Sequence, residues 1–303
     1  METRTICPKT NKHAFLIMAY NNTNQLKVLL SLLDHEDNDI YLHFDKKTKL
    51  KNTNDIGQVV KKSKLFWIKR ICVSWGGYSQ IRAELSLLRE ALQNGPYLYY
   101  HLLSGMDLPI KPMEEIHSYF VNNNGLNLIS IDESTKSGFD AKQRIGEYHF
   151  LQDKIGRNKG KFIFLLERME HLSLTFQKSL HINRYNNHYI IYKGSQWFSI
   201  TDEMAQYVLN KEQTIKKLFR YGLCVDELFL QTLAMSSPYL ETISIDTKRK
   251  IDWQRGRPYT WEKKDYQELI NSEELFARKF DESIDKEIID LIYEHINGCN
   301  SEL

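Results

Sequence analysis

Along the first 130 residues, short continuous apolar runs alternate with segments whose apolar residues recur at helical spacing. AFLIMA at 14–19 is followed by the turn-prone Asn21-Asn22-Thr23-Asn24 and then by LKVLLSLL at 26–33, which predicts strand, loop and helix. IYLHF at 40–44 predicts a second strand that delivers Asp45 at its C-terminal end, and residues 65–68 predict a third. Ile81, Leu85, Leu88 and Leu92 mark one face of an amphipathic helix that stops at Gly95-Pro96. YLYYHLLS at 97–104 predicts a buried strand, SGMDLP at 104–109 a loop, KPMEEIHSYF a helix beginning after Pro112, and NLISI at 127–131 a further strand.

Such alternation implies an α/β chain with a mostly parallel sheet covered by helices on both faces, an architecture that binds ligands at its strand ends. Residues 135–190 are basic and aromatic without clean periodicity, which predicts long surface loops around a cleft. Ile284, Ile288, Leu291 and His295 have helical spacing and predict a C-terminal docking helix. With no internal repeat or Pro/Gly/Ser linker, the expected organisation is a single domain. It comprises a polar tail at 1–12, two halves at 13–134 and 135–281, and the helix at 282–303.

Composition narrows the chemistry. The 303 residues are 42% hydrophobic and 12% aromatic, enough for one large core, and 41 Lys and Arg against 39 Asp and Glu argue against a nucleic-acid partner. The Lys/Arg/Tyr-rich stretch 141–193 suggests a single-stranded nucleic-acid surface only weakly, because acids are interspersed in it. Cys7, Cys72, Cys224 and Cys299 lack CxxC spacing, and the N-terminus shows neither a secretory signal nor an anchor. The expected location is the cytoplasm, at most peripheral at the inner face of the plasma membrane.

Ten histidines form no HExxH or HxH motif, and there is no GxGxxG or Walker loop, so a zinc hydrolase, a dinucleotide enzyme and a P-loop enzyme are all disfavoured. His43 and His101, inside apolar strands, read as hydrogen-bonded core histidines. Asp37-Asn38-Asp39 fits Asp-x-Asp literally, yet it precedes a strand instead of following one and reads as a solvated turn. Asp107 stands alone. A metal-dependent transferase or nucleotidyltransferase built on either is the competing enzyme reading, and a noncatalytic nucleotide- or glycan-binding protein is the competing binding reading.

Five segments join apolar scaffold to polar ends: LHFDKK (42–47), VSWGGYSQIRAEL (73–85), YYHLLSGMDLPIKP (99–112), KGSQWFSIT (193–201) and LCVDELFLQTL (223–233). With LFARKFD at 275–281 they resemble, in order, the core-2/I-branching β-1,6-N-acetylglucosaminyltransferases and the related peptide O-xylosyltransferases, glycosyltransferase family 14. The resemblance implies a bacterial-type member with a GT-A-like fold, a UDP-sugar donor, inversion, and no metal or other cofactor. Glu227 of the Asp226-Glu227 pair takes the place of the family's base, although an acid at a helix start has the same local look. Lys279 takes that of its phosphate lysine, partnered by Arg255 or Arg257, with the choice left open.

The resemblance further implies that 13–134 is the nucleotide-sugar half and 135–281 the acceptor and catalytic half, and it places Ala19, Tyr20, Asn21, Asp45, Gly105, Asp107 and Ser195 around the donor; Trp75 beside Gly76 and Gly77 is a further donor candidate, because glycines admit a ligand against the backbone. Trp253, Trp197, Arg144 and Tyr148 fall around the acceptor. Asp45 as a strand cap and Trp75 and Trp253 as core tryptophans are the plain alternatives. UDP-GlcNAc leads as donor because the SGMD loop looks more like that of the branching enzymes, and UDP-xylose, UDP-glucose and UDP-galactose remain open. The expected acceptor is a glycan or lipid-linked saccharide in bacterial polysaccharide or glycoconjugate synthesis.

Overall fold

A computed structural model describes residues 11–20, 23–49, 53–132, 143–185 and 189–299. Its strands, in chain order, are β1 (His13–Ala19), β2 (Asn38–Phe44), β3 (Lys64–Trp67), β4 (Tyr99–Ser104), β5 (Asp107–Pro109), β6 (Asn127–Ile129), β7 (Phe198–Thr201), β8 (Ile243–Ser244), β9 (Arg249–Ile251) and β10 (Phe276–Arg278). Seven form the central sheet in the order β3-β2-β1-β4-β7-β6-β8. Only β7 runs against its neighbours, β4 and β6; the other pairings in this sheet are parallel. This is the helix-flanked, mostly parallel α/β sheet of the expected GT-A-like class. A second sheet, β5-β10-β9, brings the segment after β4 against two strands from the C-terminal third.

Strand alternation divides the core between the two faces of the central sheet. From β1, Ala14 and Leu16 join one apolar cluster with Ile81, Leu85 and Leu88 of the helix Ser79–Asn94. Phe15, Ile17 and Ala19 join the other, with Leu26, Leu29 and Leu30 of the helix Thr23–Leu32, Ile116 and Phe120 of Met113–Asn122, and Ile288 and Ile292 of Lys286–Cys299. The continuous apolar runs of the sequence are therefore strands buried on both sides.

Some expectations need correction. SGMDLP is not all loop: Asp107, Leu108 and Pro109 form β5, paired with Arg278, Ala277 and Phe276 of a strand nearly 170 positions later in the chain. The stretch 135–190 holds a 19-residue helix, Lys161–Ser179. Phe162, Leu165, Met169, Leu172 and Phe176 do recur there at helical spacing, but all are exposed, so the stripe covers no core. β2 begins at Asn38, two residues before the predicted start, which puts Asp39 inside the strand and not in a solvated turn. Trp75 and Trp253 are 45% and 59% exposed, which removes the core reading of both.

Candidate active site

Three parallel strands, β1, β2 and β4, present their C-terminal ends on one edge of the sheet, where open α/β sheets hold ligands. Ala19 is buried at the end of β1, and the Tyr20 hydroxyl donates to Met106 Sδ at 2.8 Å. Asn21 lies outside the described residues. Gly105 lies against Ala19 and donates its N–H to the Met18 carbonyl at 3.0 Å. Asp45 behaves as the cap of the plain alternative: one carboxylate oxygen accepts the N–H groups of Lys47 (2.9 Å) and Val73 (3.3 Å), tying together the loops after β2 and β3.

Beside these strand ends lies a cationic cluster. Arg278, at the end of β10, pairs with the buried Asp107 (3.4 Å), and its guanidinium stacks 3.9 Å above the Trp197 ring. Asp107 also accepts from Ser104 N (2.7 Å) and Ser104 Oγ (3.1 Å), so its oxygens are committed within the protein. Burial raises its pKa while Arg278 pulls it down. Lys279, next in the chain and half-buried, has no hydrogen bond or ion pair from its ammonium among the described residues. Its backbone is bonded to Tyr259 (3.3 Å) and Trp261 (3.0 Å), which lie just beyond the loop that carries both candidate arginines.

Those arginines differ. Arg255 is locked in ion pairs with Asp252, Asp265 (2.8 Å) and Glu268 (2.9 Å) and stacks on Tyr259 at 4.4 Å. Arg257 is exposed and has no such partner among the described residues. Of the two, Arg257 is the one with donors to offer an anion.

The acidic half comes from a single 3-10 turn, Val225–Glu227, in which adjacent carboxylates meet opposite surroundings. Glu227 is 37% exposed, and its Oε2 accepts from Arg144 Nη1 at 2.7 Å. Asp226 is buried, accepts from Gln80 Nε2 at 2.8 Å, and has its other oxygen unpartnered. Burial, aided by Glu227, pushes Asp226 up to about 7. Cys224 precedes the turn at φ 48°, and burial raises its thiol to about 12, so it is no nucleophile.

One short turn joins the two halves. Gly194 N–H donates to the Glu227 carbonyl at 3.0 Å, and three residues on, Trp197 carries the Arg278 guanidinium on its face. Gly194 is required there, because a Cβ would stand 1.8 Å from the Ser130 carbonyl oxygen. Ser195 shapes this turn: its Oγ accepts from Trp197 N at 3.4 Å, and its carbonyl accepts from Gln231.

The remaining sequence-named residues lie around this frame. Gly76 and Gly77 admit protein and not ligand, since a Cβ on Gly77 would meet Asp153 Oδ1 at 2.1 Å. Trp75 is covered on one face by Arg157 at 4.1 Å. Tyr148 lines an open cavity of about 500 Å³ with Tyr185, Tyr189, Tyr221, Arg184 and Arg220. Within this cavity Arg184 stacks on Tyr148 at 4.9 Å and donates to the Leu218 carbonyl at 2.9 Å, and Arg220 stacks on Tyr221 at 5.0 Å, so those faces are partly taken up inside the protein. His43 and His101 are core histidines as expected: His43 Nε2 accepts from Ile71 N (3.1 Å), and His101 bridges His13 and Ser199 at 2.8 Å each.

The model of the family described as "Core-2/I-Branching enzyme" matches residues 13–278, a span that holds the acidic turn and Arg278 and ends one residue before Lys279. The chain belongs to the Core-2/I-Branching enzyme family. Among curated proteins it is similar to xylosyltransferase 2 of Rattus norvegicus, 22% identical over 313 residues that cover 94% of this chain and 34% of that protein. Xylosyltransferase 1 of Homo sapiens is 22% identical over 323 residues, 94% of this chain and 30% of that protein. The chain thus spans about a third of the length of these relatives. Among solved structures, mouse xyloside xylosyltransferase 1 in its apo form aligns with a TM-score of 0.40 at 13% identity, covering 88% of this chain and 96% of that one.

In this Core-2/I-Branching chain, sequence reasoning passed over groups behind the site. Glu84 is fully buried, accepts from Gln196 Nε2 at 2.8 Å and is held well above the usual carboxylate range by burial and by Asp226. Arg249 is buried, donates to the Phe198 carbonyl at 2.6 Å and is lowered to about 10 by burial. A signal for the first existed: Gln80 and Glu84 sit one helical turn apart among the apolar positions Ile81, Leu85 and Leu88. Arg278 stands in LFARKFD as a charge between Phe276 and Phe280, which the sequence shows; its Trp197 partner is visible only in the structure.

Proposed function

We propose that this chain moves a sugar from a UDP-sugar to a hydroxyl of a glycan acceptor, with inversion and without a catalytic metal ion. In this reading Glu227 takes the acceptor proton as the acceptor oxygen attacks the anomeric carbon. Lys279 and Arg257, with Arg278 behind them, take up the charge that grows on the departing diphosphate. The observation that carries the reading is the Gly194–Trp197 turn, which bonds to the backbone of the acid at one end and stacks on Arg278 at the other. Arg144 is then less an acceptor contact than the group that orients the Glu227 carboxylate.

Metal-free chemistry is supported by the commitment of Asp107 to Ser104 and Arg278, and by the position of Asp37 and Asp39 at the far end of the sheet. For the donor, the SGMD loop favours UDP-GlcNAc and the names of the curated relatives favour UDP-xylose; the former is tested first. The acceptor belongs in the tyrosine- and arginine-lined cavity around Tyr148, with Trp253 as an outer platform. The test is UDP release from UDP-GlcNAc, UDP-xylose, UDP-glucose and UDP-galactose, each with mixed glycan acceptors and with EDTA. Acceptor-stimulated release that survives EDTA and collapses in Glu227→Gln is expected. Thermal stabilisation by UDP without release from any donor would instead make the chain a binding protein.

A further inference from the structure

At the opposite end of the central sheet, the literal Asp-x-Asp segment meets histidines brought in from elsewhere in the chain. His13 and Asn38 share the first register row of β1 and β2. Around them stand His35 and Asp37 from the loop entering β2, and His117 from the helix Met113–Asn122. One ligand atom from each of His35, Asp37 and His117 lies within 4.8 Å of the others. His35 Nδ1 lies 3.9 Å from Asp37 Oδ2 and accepts the Asp37 N–H at 3.1 Å, a bond that a metal on this ring would replace, and its Nε2 lies 3.9 Å from Glu114 Oε1. In a tetrahedral zinc site, ligand atoms about 2 Å from the ion stand about 3.3 Å apart, so the three groups would draw together by up to about 1.5 Å around the ion.

From these side chains we infer a divalent transition-metal site, best suited to zinc, ligated by His35, Asp37 and His117 with Glu114 or water in the fourth position. Its ligand set mixes imidazole and carboxylate, which zinc accepts in tetrahedral sites. The outer groups are in place as well. Asn38 Nδ2 donates to the Leu33 carbonyl at 2.8 Å, so Asn38 Oδ1 faces His117 Nε2 (2.8 Å) as an acceptor. That fixes the Nε2–H tautomer and leaves the Nδ1 lone pair to the metal, the usual outer-shell arrangement. The ring of His13, 4.6 Å from that of His117, has a buried Nε2 with no hydrogen-bond partner, which marks this corner as polar and incompletely satisfied.

The ion would clip the entry loop of β2 to a helix some 80 positions further along the chain, on the face opposite to the one covered by Ser79–Asn94. The inference stands apart from the transferase reading, since six residue steps of β1, roughly 20 Å, separate the two ends of the sheet. It does bear on the EDTA assay, because a chelator could unfold part of the protein without touching the chemistry. The fold must therefore be followed by circular dichroism in the same samples.

The test uses the full chain freed of metal by chelation and desalting, titrated with Zn²⁺ by calorimetry and with Co²⁺ by visible absorption. One ion per chain, a tetrahedral cobalt spectrum and a rise in Tm with zinc are expected. His35→Ala and Asp37→Asn should each weaken binding more than tenfold and abolish the spectrum. His117→Ala should do the same, and if that variant fails to fold, the two more accessible positions decide. No binding to the wild-type chain, or binding unchanged in both His35→Ala and Asp37→Asn, overturns the inference.

Discussion

The two ends of the central sheet draw on the same residue types to opposite effect. At the C-terminal end of the strands, cations and carboxylates stand half open: Glu227 is 37% exposed against Arg144, and Lys279 is unpaired among the described residues. At the N-terminal end, His13, His101 and His117 are driven towards neutrality by burial and by neighbouring histidines, His35 among them, and Asp39 is sealed under Tyr97. Charge left accessible is suited to a reaction in which charge moves; neutral imidazoles are suited to holding something in place. An Asp-x-Asp string therefore means little until the direction of its strand is known, and here β2 carries it at the end away from the site.

Glu227→Gln is the sharpest way to break this comparison. Turnover should fall about 10²-fold or more while UDP binding, read by calorimetry, is kept. Near-normal turnover would show that the open end is no more chemical than the sealed one. Lys279→Ala should cost about 10²-fold in kcat, and Arg257→Ala about tenfold. Arg255→Ala should lower Tm and leave kcat nearly unchanged, because its guanidinium is spent on Asp252, Asp265 and Glu268. If kcat falls further in Arg255→Ala than in Arg257→Ala, the assignment between the two is reversed.

At the sealed end, Asp39→Asn should cost about 1–2 kcal/mol of stability in denaturant unfolding without altering turnover, since its carboxylate accepts from Tyr97 at 2.6 Å and pairs with Lys12. A loss of turnover with the fold intact would revive the metal-dependent reading.

The smallest effect is a pH dependence. Asp226 is raised from 3.8 to about 7, so between those values the folded chain binds more protons than the unfolded one. Stability then falls as pH rises from about 4 to about 7 and levels off above. Glu84, raised for the same reason of burial, acts in the same direction. Asp226→Asn should flatten that slope in unfolding measured across the range. A slope unchanged in the variant would put the burial of Asp226 in doubt.

Legibility followed burial. β1, β2 and β4 could be read from apolar runs because both of their faces are covered, and the helix Ser79–Asn94 from a stripe that packs on the sheet. The helix Lys161–Ser179 was misread because its own stripe is exposed among basic and aromatic neighbours, so its periodicity served no visible core. Within the site, Glu227 and Lys279 were named by short motifs. Gln80 and Glu84 interrupted an apolar face and were still missed, since local spacing does not say what a buried polar residue meets.

The sequence by itself determined where chain segments bury apolar side chains, and hence the alternating α/β order and the strands whose ends frame the site. It also determined the family, through six motifs in fixed order. Only the tertiary structure decided that Asp107 is committed to Arg278, that Arg255 is occupied while Arg257 is available, and that one glycine turn couples Glu227 to the cationic cluster. The physical reason is separation along the chain. Propensity and hydrophobic period act within about ten residues, whereas Asp107 and Arg278 lie some 170 positions apart and meet only as partners within the second sheet; the Arg255 pairs are nearer in sequence and depend instead on how their loop folds.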